Sequence, residues 1–334
     1  MEITQEMLLR VEEENLLDMH SVINVLNVIN YELHILSIAL GEPPEIVEAA
    51  DAVAGIGDAL RDRKEAYRQI DNVEEFIRTI ETTVDRACAA RAGCRDIPAV
   101  GEARANLESV YAVLRVRARE IVARSDNPLA WVTHDIGELH NNFLQVLRAI
   151  ERNSKGGYQI VNNIALHEEG TYYVSFEISS IQGKTIRMPA VFQDVMRDLI
   201  ANARKYTAPG GRIVAGLHND GSSLRFVIED TGRGIPQEEI PRLINFGERG
   251  SNVQDRPTRG GGFGLTKAYY VTRKLGGRLW IDSAVAEGTR IEIRIPAESG
   301  GDGLARAADA GGRDSGSRDA GSRGSEPHGS GAAW

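Results

Sequence analysis

Four side chains on one predicted helix could hold a phosphorylated ligand. In "DLIANARKYT", Asp198, Asn202, Lys205 and Tyr206 recur at i, i+4, i+7 and i+8 and share one face. A carboxylate, an amide and an ammonium are together what a hydrated magnesium ion and phosphates require. The polar outer face of an ordinary amphipathic helix would look the same. Downstream, "VIEDTGRGIP" delivers Asp230 at a strand exit and turns on Gly232 and Gly234, where backbone can approach something closely. A buried Asp230 could accept a hydrogen bond from an exocyclic amine such as adenine offers; a plain turn is the alternative. In "RGGGFGLTKAYYV", Gly260, Gly262 and Gly264, with Leu265, run straight into a helix, and helix N-terminal amides suit an anion. No G-K-[ST] follows and no strand precedes, so this is neither a Walker A loop nor a dinucleotide fingerprint. Finally, "AEGTRIEIRIP" sets Gly288-Thr289 before a last strand.

The elements that must position these residues fall into three regions. Residues 1–155 read as a helical bundle, broken at Gly41–Pro44, near Gly93 to Pro98, and at Asp126–Pro128. Helices are expected over roughly 4–40, 45–92, 99–125 and 128–154, with 42–125 an inserted helical segment. Interruption of the second helix at Gly55 and Gly57 is allowed for. After a hinge at Gly156-Gly157, residues 157–298 alternate strand-like runs with helices, an α+β pattern. Residues 299–334 hold ten of the chain's 35 glycines and two bulky apolar residues, Leu304 and Trp334, so a disordered tail is expected.

At 334 residues the chain can bury two cores. A net charge of -9, from 39 basic and 48 acidic residues, argues against nonspecific nucleic-acid or anionic-membrane binding. Cys88 and Cys94 lack partners at metal spacing and read as free thiols in a reducing compartment. No signal peptide and no run of about 18 apolar residues is evident, so a cytoplasmic protein without a membrane span is expected.

Together, in this order and context, the four motifs resemble the catalytic ATP-binding domain of sensor histidine kinases, within the gyrase, Hsp90, histidine kinase and MutL superfamily. "DLIANARKYT" is similar to the N box, "EDTGRGIP" to the G1 box, "GGGFGL" to the G2 box, and "INFGERGSN", with Phe246, to the F box. The resemblance implies an α/β sandwich, a mixed sheet with helices on one face. It implies ATP and Mg²⁺ as cofactors, with Asn202 on the metal, Lys205 at phosphate, and Asp230 reading adenine. A lid over about 235–262 is implied, with Arg249 and Arg259 as candidate phosphate contacts.

In "DMHSVINVLNVINYELHIL", His20, Asn24, Asn27, Tyr31 and His34 form one polar stripe on a helix apolar elsewhere. Such a helix must be buried on two sides, which predicts a homodimer, with His20 on a solvent-facing strip. "MHSVINVL" resembles the family's H box in its H-x-x-x-N spacing, but Ser21 stands where many members carry an acid. Asp198 could supply the missing base, for His20 or for a water. His134, with Asp135 beside it, competes on a helix over 128–154, although no returning helix fits after it. His140 reads as a core-edge residue. The implied function is autophosphorylation at a bundle histidine, then transfer to an aspartate of a response-regulator receiver domain. An ATPase, a serine kinase, or a non-catalytic phosphotransfer scaffold are the alternatives.

Overall fold

The computed structural model describes residues 1–153, 159–253 and 262–297. Gly156-Gly157, Arg259, Gly260 and the expected tail over 299–334 lie outside them. Helix α1 spans Val11–Leu40. Glu13 accepts from the Arg10 amide at 2.9 Å at its start, and Gly41 closes it at φ 81°, where glycine carries no Cβ penalty. Then come α2 (Pro44–Ala59), α3 (Arg63–Asp71), α4 (Val73–Ala89) and α5 (Pro98–Ala123). Proline opens α2 and α5, where its missing N–H costs nothing. Gly55 and Gly57 lie inside α2; the break comes instead at Asp62, which caps α3 by accepting from the Glu65 amide at 2.8 Å.

These five helices share one core, running from Met19 on α1 to Ile121 on α5. Leu17, Ile29, Leu33 and Leu36 are fully buried, and α2 and α5 of the same chain lie along α1. Much of the apolar circumference of α1 is thus covered within one chain, with Ile38 left exposed. By length and composition alone α1 could cross a membrane. The expectation that nothing spans therefore does not follow from composition; here the helix is part of a packed bundle.

A second correction concerns the cysteines. The end of α4 and the short turn after it bring the Cα atoms of Cys88 and Cys94 to 5.5 Å, and the two form a disulfide. The expected free thiols are not present.

Residues 124–297, joined by a two-residue strand from the start of the chain, are built on a seven-stranded mixed sheet. Its strands are β1 (Glu2–Ile3), β3 (Gln159–Val161), β4 (Thr171–Ser180), β6 (Arg212–Asn219), β7 (Ser223–Asp230), β8 (Arg278–Ala284) and β9 (Gly288–Pro296). Their order is β1-β8-β9-β7-β6-β4-β3, with β3–β4 and β4–β6 parallel and the remaining pairs antiparallel. A separate ribbon pairs β2 (Trp131–Asp135) with β5 (Thr185–Pro189). Helices α6 (Ile136–Asn153), α7 (Phe192–Tyr206) and α8 (Phe263–Lys274) bury one face of the sheet. Strand alternation sends Ile213, Phe226 and Ile293 into that core. The other face carries a charge ladder in which Glu292 accepts from Arg225, Arg290 and Arg294.

The helix expected over 128–154 is shorter. Trp131-Val132-Thr133, with two β-branched residues, forms a strand, and Asp135 caps α6 by accepting from the Glu138 amide at 2.9 Å. Leu139, Phe143 and Leu147 of α6 join the sheet's core rather than the bundle's. β1 had no signal in the expected pattern, being two residues long.

Candidate active site

Helix α7 delivers the first set of side chains. Its inner face, with Phe192, Val195, Leu199 and Ala203, is buried on the sheet, which leaves Asp198, Asn202, Lys205 and Tyr206 half-buried on the opposite side. They line a cavity of about 320 Å³, within the usual range for small-ligand sites. Asp230, Gly234 and Thr289 enter from the sheet, and Gly262, Gly264 and Leu265 from the start of α8. His20 and Asn24 close the cavity from α1. Gly232 stands behind it, its amide donating to Asp230 Oδ1 at 2.8 Å.

Two glycines make this approach possible. A Cβ at Gly264 would stand 2.7 Å from Asn202 Nδ2, so any larger residue there would push the Asn202 amide out of its place in the cavity. Gly288, at φ 102°, lies where a Cβ would meet the Asp230 carbonyl at 1.9 Å.

Burial raises the Asp230 carboxyl to about 6, against the lowering effect of the Gly232 and Thr289 amides. Above that pH it is a desolvated acceptor on the cavity wall, suited to an amine donor. At the other end, burial and the neighbouring Arg249 and Arg204 lower the Lys205 ammonium to about 8. Arg249, from the stretch between β7 and α8, donates to the Val253 carbonyl at 2.9 Å and hydrogen-bonds Tyr206, whose hydroxyl is raised by burial. Three cations crowding one end of a cavity favour an anionic guest there.

His20 is buried, which corrects the solvent-facing placement. The polar stripe exists, but its upper end turns into the cavity while Tyr31 and His34 remain exposed. His20 Nδ1 lies 3.1 Å from Asp198 Oδ2, and its Nε2 lies 3.2 Å from Asn24 Nδ2. A carboxylate only accepts, so Nδ1 carries the proton and Nε2 keeps a lone pair facing the Asn24 amide. The ring of Phe263 meets the imidazole edge-on at 5.5 Å and stacks at 4.5 Å on Phe246. Ser21 Oγ is buried without a hydrogen-bond partner among the described residues. The acid beside the imidazole comes from α7, not from the next residue of α1.

His134 sits on β2, opposite Ile186, and its Nδ1 is 3.0 Å from Gln193 Nε2. Burial lowers its pKa, and it does not line the cavity. Its expected helical placement is corrected with that of β2. His140 is half-buried on α6.

An ionic cluster beneath the cavity went unnoticed in the sequence. Asp194, on α7, accepts from Arg124 at 2.5 Å and Lys267 at 3.1 Å, and also pairs with Arg197. Burial opposes its ionisation, but these three cations hold it well below the usual carboxylate range. Arg197 also donates to Glu120 of α5 at 3.0 Å. Lys267 in an otherwise apolar stretch, "LTKAYYV", is the one sequence signal that could have pointed here.

Among the described residues no group of three His, Cys, Asp or Glu could hold a metal alone. An amide at Asn202 with a carboxylate nearby fits a magnesium ion that shares its oxygen ligands with nucleotide phosphates.

The profile of the "Histidine kinase-, DNA gyrase B-, and HSP90-like ATPase" family matches residues 187–299. Histidine protein kinase DivJ of Caulobacter vibrioides is 32% identical over 104 residues, 31% of this chain and 17% of its own. Sensor histidine kinase Hik2 of Thermosynechococcus vestitus is 39% identical over 108 residues, 32% of this chain and 28% of its own. The adaptive-response sensory kinase SasA of Synechococcus elongatus is 32% identical over 109 residues, with the same two shares. The chain spans less than a third of the length of the curated relatives it matches. The solved structure of mycobacterial sensor histidine kinase MprB is 23% identical, at a TM-score of 0.36, over 49% of this chain and 97% of that one. The matched segment holds α7, the strand-exit aspartate, the glycine-rich start of α8 and the last strand, and over this stretch the chain is similar to the histidine kinase-, DNA gyrase B- and HSP90-like ATPase family and to sensor histidine kinases.

Proposed function

We propose that the protein is an ATP-dependent protein-histidine kinase whose phosphoacceptor is His20. The observation that carries this reading is the 3.1 Å approach of His20 Nδ1 to Asp198 inside the nucleotide cavity. Adenine would sit on Asp230, and the phosphates among Lys205, Arg204, Arg249 and the first amides of α8. Asn202 would hold Mg²⁺, which when bound neutralises phosphate charge as it develops in transfer.

Within this frame each residue has a chemical task. Asp198 accepts from Nδ1–H and so fixes the tautomer that leaves the Nε2 lone pair available. The Nε2–P bond forms as the bond from the γ-phosphorus to the bridging oxygen breaks, and ADP leaves with that electron pair. The Nδ1 proton, acidified as the ring gains the phosphoryl group, passes to Asp198. Asn24 holds Nε2 in the resting arrangement and must release it. Phe263 walls the imidazole from one side.

The receiving aspartate of a response regulator, a homodimer and a cytoplasmic site complete the proposal; they rest on the likeness to two-component kinases. One observation favours a second reading. Asp198 is a carboxylate at the helix position from which it could instead activate water, which would make the domain an ATPase.

Incubation with γ-labelled ATP and Mg²⁺ separates the two. Acid-labile label present in the wild type and absent in His20→Gln is expected. Phosphate release without protein label would favour the ATPase, and acid-stable label on serine would indicate a serine kinase.

A further inference from the structure

The histidine in the cavity belongs to the same chain as the cavity, and the fold ties it there. β1 adds to the edge of the ATP-binding sheet, with Glu2 opposite Trp280 and Ile3 opposite Leu279. The Ile281 amide donates to the Met1 carbonyl at 2.9 Å, and Tyr269 Oη donates to the Gln5 carbonyl at 2.6 Å. Ile3 is buried in the sheet's core. Only residues 4–10 separate this strand from α1, a reach of roughly 25 Å at full extension. From Val11 to His20 the helix adds only about 14 Å.

α1 is held again along its length. Its first half lies on α8, with Glu14 3.9 Å from Lys274. Asp18 is half-buried near Lys267 and Arg124, the two cations that also bind Asp194. The imidazole then needs no travel to meet Asp198. We infer that phosphoryl transfer is intramolecular: each chain phosphorylates its own His20, with β1 and the start of α1 holding the acceptor at its own nucleotide site.

This rests on the kinase reading above, and the test keeps the two apart. A chain carrying Asn202→Ala, which keeps its acceptor, is co-expressed with a differently tagged chain carrying His20→Gln, which keeps its nucleotide site. Mixed assemblies are purified through both tags in turn and given γ-labelled ATP and Mg²⁺ beside the wild type. The intramolecular arrangement predicts label on the Asn202→Ala chain at least about a hundredfold slower than in wild type, since its own site is the one that must act. Label on that chain at a rate near the wild type overturns the inference while leaving His20 as acceptor. No acid-labile label in the wild type overturns both. If no mixed assembly forms, the wild-type rate per chain is followed across a hundredfold range of protein concentration. A constant rate supports transfer within the chain, and a rate rising in proportion to concentration contradicts it.

Discussion

His20 has two hydrogen-bond neighbours with opposite demands, a carboxylate that accepts and an amide that donates, and only the neutral Nδ1–H tautomer satisfies both. Asp198→Asn removes the proton acceptor but keeps the shape. Labelling is expected to fall about a hundredfold or more while ATP affinity holds, measured by initial rates beside calorimetry. Equal loss of both would instead assign Asp198 to nucleotide binding. Asp230 gives a pH signature. Its carboxyl, raised to about 6, is charged above that pH and protonated below it. A protonated carboxyl accepts poorly from an amine, so ATP affinity should decline by up to about tenfold per pH unit below 6. In Asp230→Asn this component of the slope should vanish, while the titration of the phosphates themselves remains. At this scale helical periodicity put Asp198, Asn202 and Lys205 on one face and a strand exit placed Asp230, but only the resemblance of four motifs suggested what they could hold. The burial of His20 was not. It depends on α8 and Phe263 arriving from residues more than two hundred places later.

Among the elements, α7 and α8 carry sequence signals that match what they do: an amphipathic face in one, a glycine entry in the other. β1 and β2 carried none that could be read. Two residues give no alternation to detect, and β2 borrows its partner from β5, so its strand character is settled by pairing rather than by periodicity. If β1 positions α1, then Ile3→Asp, which puts a charge into the sheet's core, should slow labelling at least about tenfold while the nucleotide site, more than one strand away, still binds ATP. Unchanged labelling would remove β1 from the account. The disulfide is a local device of another kind. Closing a separation of six residues, its removal in Cys88→Ser should cost about 2 kcal/mol of bundle stability, read from denaturant melts under non-reducing conditions.

For the whole molecule, a buried charge network lies where the two hydrophobic cores approach each other. Asp194 of the sheet's core is bound by Arg124 from the end of α5 and by Lys267 from α8, and Arg197 extends the network to Glu120. Removing the one carboxylate leaves cations buried without compensation, so Asp194→Ala should destabilise the protein by about 3–5 kcal/mol. Because the carboxyl is held well below its ordinary range, its contribution is full above the unfolded value and is lost only as pH falls through the lower folded one. The network therefore persists through mildly acid pH, where Asp230 has already protonated. The change from helical to strand-bearing texture was legible, but Leu139, Phe143 and Leu147 of the expected bundle pack in the sheet's core, and the joint was not legible. Isolated charges in apolar runs, such as Lys267, do not name their partners.

The most direct test of the account is to locate the phosphate on the protein. Wild-type protein is incubated with ATP and Mg²⁺ at neutral pH, digested without acid, and its phosphopeptides are sequenced by mass spectrometry. The account predicts an acid-labile phosphoryl group on the α1 peptide, at Nε2 of His20. Modification at His134 or at a serine, or none while ATP is demonstrably bound, would contradict it.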